Sequence, residues 1–352
     1  MTTQLHESCF ELGPQPMNAM KISTAYKAKA YESIFHVAST VGRVLDKNQN
    51  QTLDTLKKIE TACVSSLFYV FNAKIIRALT EQRDVTKILQ ALEEFSVTPT
   101  TNFVNRGPRI FNLDAYDWAL AFAAETVNEA KKTKGCETAE IRPTSHLDFQ
   151  NNSEILAEAL ALIQASHFHS FYDEIVHYVS DIVLFDGTGV TGGSSTRTMG
   201  SIFIRIPYEM EEPGAQVDAM SLSLLTPLVY YLEQLVHETA HLHLDQLMEF
   251  DPIILNRPTD LFDSPIRKDP RPMRGVFHAT FVLARLVFFF SNLEPLIETD
   301  EATRKRRLHV IHAALGKGIQ VIAQYGELTA MGEKLLRQMD EISKNELPCA
   351  PH

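Results

Sequence analysis

The sequence predicts a mainly α-helical fold, a multi-helix domain with a small β-sheet or hairpin next to one histidine-bearing helix. Three observations carry that expectation. Apolar residues recur every three to four positions over most of the 352-residue chain, as amphipathic helices require. Beyond Asp181 the period changes, and IVLFD and SIFIRIPY read as short strands rich in Ile, Val and Phe. The stretch Leu232 to Met248, LEQLVHETAHLHLDQLM, combines strong helical character with an HExxH motif.

Taken in order, residues 1 to about 19 carry Pro14 and Pro16 without periodicity and read as a mobile arm or a segment laid over the surface. Helices are expected from Met20 to about Asp46, from Thr52 to Thr80, over Asp84 to Phe95, and from Leu113 to Lys132 with Trp118 in the core. Val97 to Pro108 reads as a connection, and the polar stretch Lys131 to His146 as a surface loop or boundary. The organisation expected is therefore a helical region over 1–146 and a second region over 147–352, packed together as one unit.

A long helical pattern runs from Ser153 to about Val179. His169, Asp173 and His177 repeat every four residues on it, and read better as a polar stripe than as a second metal face. The glycine-rich stretch GTGVTGGSSTRTMG joins the two predicted strands. It lacks the GK[ST] ending of a phosphate loop and the spacing of a dinucleotide site, so it reads as a long hairpin connection or a closing loop. After the HExxH helix, a proline-rich strap over 251–272 cannot be helical throughout. Three more helices follow, over Gly275–Ser291, Asp300–Tyr325 and Leu328–Lys344.

Composition narrows the function classes. A formal charge of −11 argues against non-specific nucleic-acid binding. Cys9, Cys63, Cys136 and Cys349 form no CxxC pair, which suits a reducing compartment and gives no thiolate metal site. The first residues lack the pattern of a secretory signal, and the most apolar segment, Val276 to Phe290, is short for a bilayer and contains His278 and Arg285. A cytoplasmic location, with neither nucleic acid nor membrane as partner, is the expectation.

The chemistry starts from His237, Glu238 and His241. Residues four apart share a helix face, so the two imidazoles can reach one metal ion while Glu238 points toward a metal-bound ligand. A catalytic metal needs a further protein donor. Neither a Gly at position 244 nor a His at position 247 completes the extended zincin pattern, and Glu249 and Glu294 are only open alternatives. His278, alone in the apolar GVFHATFVLARLVFFF, is the strongest third candidate. Seven residues on, Arg285 lies on nearly the same face and must find an anion, either a protein carboxylate or one on a bound small molecule.

The pair VHETAHLHL and SPIRKDPRPMRGVFHATFVLARL resembles the HExxH-motif proteins associated with ribosomally made, modified peptides, a family of iron and 2-oxoglutarate dependent peptide β-hydroxylases. The resemblance covers roughly Val236 to Leu286. It implies that His237, His241 and His278 match the metal-binding positions, and that Arg267, Asp269, Pro270, Arg271 and Pro272 match the family's strap, with Ile266 where many members carry an aromatic. Further implications are Fe(II) and 2-oxoglutarate as cofactors, dioxygen as oxidant and a precursor peptide as substrate. Arg285 is then the first candidate for the distal carboxylate of 2-oxoglutarate, with Arg271 and Arg274 as alternatives, and Arg267 and Asp269 are candidates for substrate contacts. Three protein donors on one side of Fe(II) would leave room for the keto acid and dioxygen.

Two other readings stay open. In a zinc peptidase, the metal would polarise a peptide carbonyl while Glu238 takes the proton of water. A peptide-binding protein with a structural metal would need no open coordination position.

Overall fold

The alternation between fully buried runs and short turns in the middle third of the chain builds a five-stranded sheet, and helices cover both its faces. The computed structural model describes residues 7–9, 11–45, 66–78, 87–88, 107–132, 138–165, 169–207, 222 and 225–344. The helices are α1 (Pro16–Leu45), α2 (Ser66–Arg77), α3 (Asp117–Ala130), α4 (His146–Ala165), α5 (His169–Tyr178), α6 (Pro227–Met248), α7 (Met273–Asn292), α8 (Glu298–Tyr325) and α9 (Ala330–Ser343). The strands are β1 (Arg109–Asn112), β2 (Glu140–Arg142), β3 (Asp181–Thr188), β4 (Gly192–Ser194), β5 (Ser201–Arg205), β6 (Leu261–Phe262) and β7 (Arg271–Pro272). The mainly helical fold with a small sheet beside the HExxH helix is as the sequence predicts.

The sheet runs β1-β3-β5-β4, with β2 pairing antiparallel to the far end of β3. β3 and β5 are parallel neighbours, Ile182 opposite Ile202 and Leu184 opposite Ile204, so the connection between them is not a long hairpin, one of its two expected forms. It carries β4, which folds back antiparallel on β5. Both faces are buried, which explains the unbroken apolar runs. Val183, Phe185 and Phe203 pack with Leu113, Ala119 and Ala123 of the α3 side, whereas Ile182, Leu184, Ile202 and Ile204 join the main core.

β2 falls in the stretch that reads as a surface loop, and β1 in the four residues between the expected connection and the next expected helix, because three or four half-exposed residues leave no clear period. Both pair with β3, so the sheet draws strands from either side of position 146. The long pattern over 153–179 is two helices, α4 and α5. The described part of the amino-terminal segment is no loose arm. Cys9 and Leu12 are buried in the main core, and the Leu12 carbonyl accepts a hydrogen bond from Arg285. Most of the helix expected over 84–95, and the amino-terminal part of that over 52–80, lie outside the described residues.

α6 and α7 form the centre. α6 starts at Thr226 and Pro227, where proline at the first helical position costs no hydrogen bond. α7 is long and apolar enough to cross a membrane, but it is mostly enclosed by protein. Phe277, Phe281, Phe289 and Phe290 are fully buried, each worth about 1.5–3 kcal/mol of transfer free energy. The crossing of α8 over α7 is close at Gly318, where a Cβ would stand 2.2 Å from Thr280 Oγ1.

Candidate functional site

On the mostly buried α6, Glu233, His237, His241 and Asp245 repeat every four residues and so share one face. That face opens on a cleft of about 660 Å³. Thr191 to Ser194 form one wall, Gly275, His278, Ala279 and Val282 of α7 another, and Ser264, Ile266, Arg267 and Arg271 of the strap the mouth. β6 and β7 pair within that strap, Phe262 opposite Arg271, which brings the arginine over the cleft.

His237 Nε2 and His241 Nε2 are 3.2 Å apart. Metal–nitrogen bonds of about 2.1 Å place two ligand nitrogens of one ion roughly 3 Å apart, so this pair fits a shared metal. Burial lowers His237 to about 4, with the Arg307 charge adding to the effect. Burial and the neighbouring His237 lower His241 to about 3. Both imidazoles are therefore neutral at pH 7, the state that ligates.

His278 reaches the same cleft but not the same point. Its ring stacks on that of His241 at 5.7 Å, with the two Nδ1 atoms 3.5 Å apart. Its Nε2 faces Met248 Sδ at 3.3 Å and Asp245 Oδ1 at 3.6 Å. The structure thus brings His237 and His241 together, and places the His278 ring beside them with its Nε2 facing its neighbours on α6. Among the described residues no three His, Cys, Asp or Glu side chains converge on a point.

Glu238 is buried, and burial raises it to about 8 against the opposing hydrogen bond donated by Ser194 Oγ at 2.9 Å. Its Oε1 lies 4.0 Å from His237 Nε2. Asp245 is raised by burial to about 6, with Arg274 opposing. Neither Asp245 nor Ser194 stands out in the sequence reading. The four-residue period running from Glu233 to Asp245 is the signal that would have found Asp245, whereas Ser194 arrives through the tertiary fold.

The arginines separate into three groups. Arg267 and Arg271 line the cleft mouth. Arg271 Nη2 lies 2.8 Å from Asp269 Oδ2, yet Nε and Nη2, the edge that grips a carboxylate in bidentate fashion, make no aligned hydrogen bond. Arg274 is exposed and reaches Asp245 at 3.4 Å, outside the cleft lining, and Asp269 is half-exposed. Arg307, unremarked in the sequence, enters the cleft from α8 and binds Glu233 through two hydrogen bonds of 2.7 and 2.6 Å.

Arg285 is not in the cleft, which corrects its expected role as cosubstrate arginine. Two helical turns from His278 carry it about 10 Å along the axis, into the core behind α6. There its Nη2 pairs with Glu174, its Nη1 donates to Leu12 O at 2.8 Å, and His243 Nδ1 stands 3.3 Å away. Burial alone would raise Glu174, but Arg285 and His243 hold it below its ordinary value. The anion that the buried guanidinium demands is a protein carboxylate.

The arrangement offers two neutral imidazoles for a metal, a carboxyl group one contact away and guanidinium groups at the mouth. Comparison with models of known protein families and with curated proteins returns no match.

Proposed function

We propose that this protein is an Fe(II) and 2-oxoglutarate dependent dioxygenase that hydroxylates a side-chain carbon, the β-carbon first among them, of a ribosomally made peptide. The observation that carries the reading is the His237–His241 pair, 3.2 Å apart in a cleft whose mouth presents Arg267 and Arg271. A metal-binding histidine pair beside cationic side chains suits a small diacid, which needs one end at the metal and the other on a guanidinium. Iron, when bound, supplies the redox chemistry that activates dioxygen and the keto acid.

The chain's own residues would do the rest. His237 and His241 hold the metal, with Asp245 or a reoriented His278 nearest to add a donor. Arg271 offers its side-on edge, which makes no aligned hydrogen bond to its ion-pair partner Asp269, to the distal carboxylate, in place of Arg285. Glu238 keeps its proton at neutral pH and orients the cleft wall through Ser194. Val282, Leu283 and Leu286 give the inner wall an apolar surface that excludes water.

Glu238 also favours a second reading. A buried carboxyl raised to about 8, one residue from a ligand histidine, suits proton transfer in a zinc peptidase. One experiment separates the two. Protein reconstituted anaerobically with Fe(II) and then given oxygen and 2-oxoglutarate should release succinate, and a substrate peptide should gain one oxygen. Cleavage of peptides with zinc and no keto acid would select the peptidase.

A further inference from the structure

β4 is the edge strand of the sheet and at the same time a wall of the histidine cleft. It pairs with β5 on one side, Gly192 opposite Ile204, Gly193 opposite Phe203 and Ser194 opposite Ile202. The Arg205 N–H donates to Thr191 O at 3.0 Å, and in an antiparallel ladder such bonded positions alternate with unbonded ones. Gly193 therefore turns its backbone groups toward Phe203, while the N–H and C=O of Gly192 and Ser194 point outward. Among the described residues no backbone partner takes them on that side. All three residues are half-buried, so the edge is not sealed.

The edge is also anchored to α6 and shares the cleft with its histidines. Tyr230 of α6 donates its hydroxyl to Arg205 O at 2.7 Å, which clamps the end of β5, opposite Thr191 at the start of β4, onto the helix. Gly192 lies so near α6 that a Cβ there would stand 2.7 Å from Glu238 Oε1 and 3.1 Å from Phe203 O. At Gly193, on the opposite face, a Cβ would meet nothing within 4 Å, so the strand presents backbone rather than side chain. A strand added to this edge would run about 4.8 Å from β4, and Glu238, bonded to Ser194, is 4.0 Å from His237 Nε2. At the mouth, Arg267 is exposed and has no ion-pair partner among the described residues.

We propose that the outer edge of Gly192–Ser194 binds the substrate polypeptide as an added β-strand, with an acidic side chain of that segment on Arg267, so that one of its residues is presented beside His237 and His241. Unpaired strand edges take extended peptides in this way, with affinity from main-chain hydrogen bonds and selectivity from the side chains around them. The proposal rests on the peptide-modifying reading for its purpose, but binding is measurable without catalysis.

The test uses the full chain, without metal or keto acid, and a fluorescein-tagged ten-residue peptide of alternating Thr and Val around a central Asp. Fluorescence anisotropy should show saturable binding below about 1 mM, because backbone recognition tolerates sequence. Single N-methyl groups placed along the peptide should weaken binding about tenfold at alternate positions and hardly at all between them. Arg267→Ala should abolish the preference for this peptide over its Asn counterpart.

Absence of binding at millimolar peptide, a flat N-methyl profile, or an Asp preference that survives Arg267→Ala would each overturn the proposal. So would a dimer of this chain that peptide fails to dissociate. An alternating profile without any succinate production or peptide oxidation would sink the oxygenase reading alone, whereas peptide hydroxylation with a flat profile would sink this proposal alone.

Discussion

Arg285→Met tests the placement of the second charged group on α7. The native guanidinium is fully enclosed, pairs with Glu174, bonds Leu12 O and lies over the Phe171 ring at 5.3 Å. Methionine fills similar space and removes the charge, which leaves the Glu174 carboxylate buried against His243 with no full positive partner. Breaking such a pair costs about 3–5 kcal/mol, because the surviving charge keeps its desolvation penalty. The lost bond to Leu12 also releases the segment that seats Cys9 and Leu12 in the core. Urea unfolding should show a lower midpoint with an unchanged slope. The double variant Glu174→Gln, Arg285→Met should recover most of the loss, since no ion then remains unpaired. At a temperature where both proteins are folded, 2-oxoglutarate should bind Arg285→Met as it binds the parent. A variant with unchanged unfolding and a large loss of 2-oxoglutarate affinity would refute the reasoning and return Arg285 to the site.

Further outcomes follow from the same geometry. His237→Ala should lower iron retention after desalting at least tenfold, by analogy with the loss of a direct ligand, and His278→Ala should lower it less, because its nitrogens face Asp245 and Met248; equal losses measured by metal analysis would put His278 back on the ion. Gly318→Ala should destabilise the protein by about 1–3 kcal/mol through overpacking against Thr280, and the cost should vanish in a Thr280→Ala background, as a double-mutant cycle in denaturant would read. The Glu301 carboxyl is held near 2, first by its hydrogen bonds from Arg304 and also by the Leu296 N–H, against a smaller opposing effect of burial. Its folded value is depressed, so its contribution is present above the unfolded value near 4.5 and fades as pH falls toward 2. Glu301→Gln should therefore flatten the acid side of the stability profile between those pH values, and an unchanged profile by thermal melts would contradict the assignment.

The helices and their apolar faces were legible because packing imposes a period, and α6 was legible twice, through its pattern and through HExxH. The strands β1 and β2 were not, since their pairing to β3 is decided by residues dozens of positions away. The amino-terminal segment misled for a related reason. Two prolines and no period look like a surface arm, yet a single carbonyl at Leu12 completes the hydrogen bonds of a buried arginine 273 residues later. Within the site, spacing found the residues that α6 carries, and no local signal could assign Ser194 or Arg307, which reach the cleft from β4 and α8.

The two arginines show why spacing alone could not choose between them. Each is on a core helix and each answers a carboxylate, Arg285 that of Glu174 and Arg307 that of Glu233. Between these two pairs stands α6, with His243 turned to the first and His237 beside the second, as a spacing of six residues, about 120° short of two full turns, must place them. The pair behind the helix leaves α6 little freedom to rotate, because turning it would strip His243 from Glu174 and unstack it from Tyr178 at 5.3 Å. The pair in front fixes the first residue of the stripe that ends at Asp245. Loss of the rear pair should therefore disturb the His237–His241 separation without touching either ring. In Arg285→Met the iron site should keep its stoichiometry but lose homogeneity, visible as broadened signals in its electronic spectrum, and an unchanged spectrum would show that α6 is held by its apolar packing alone.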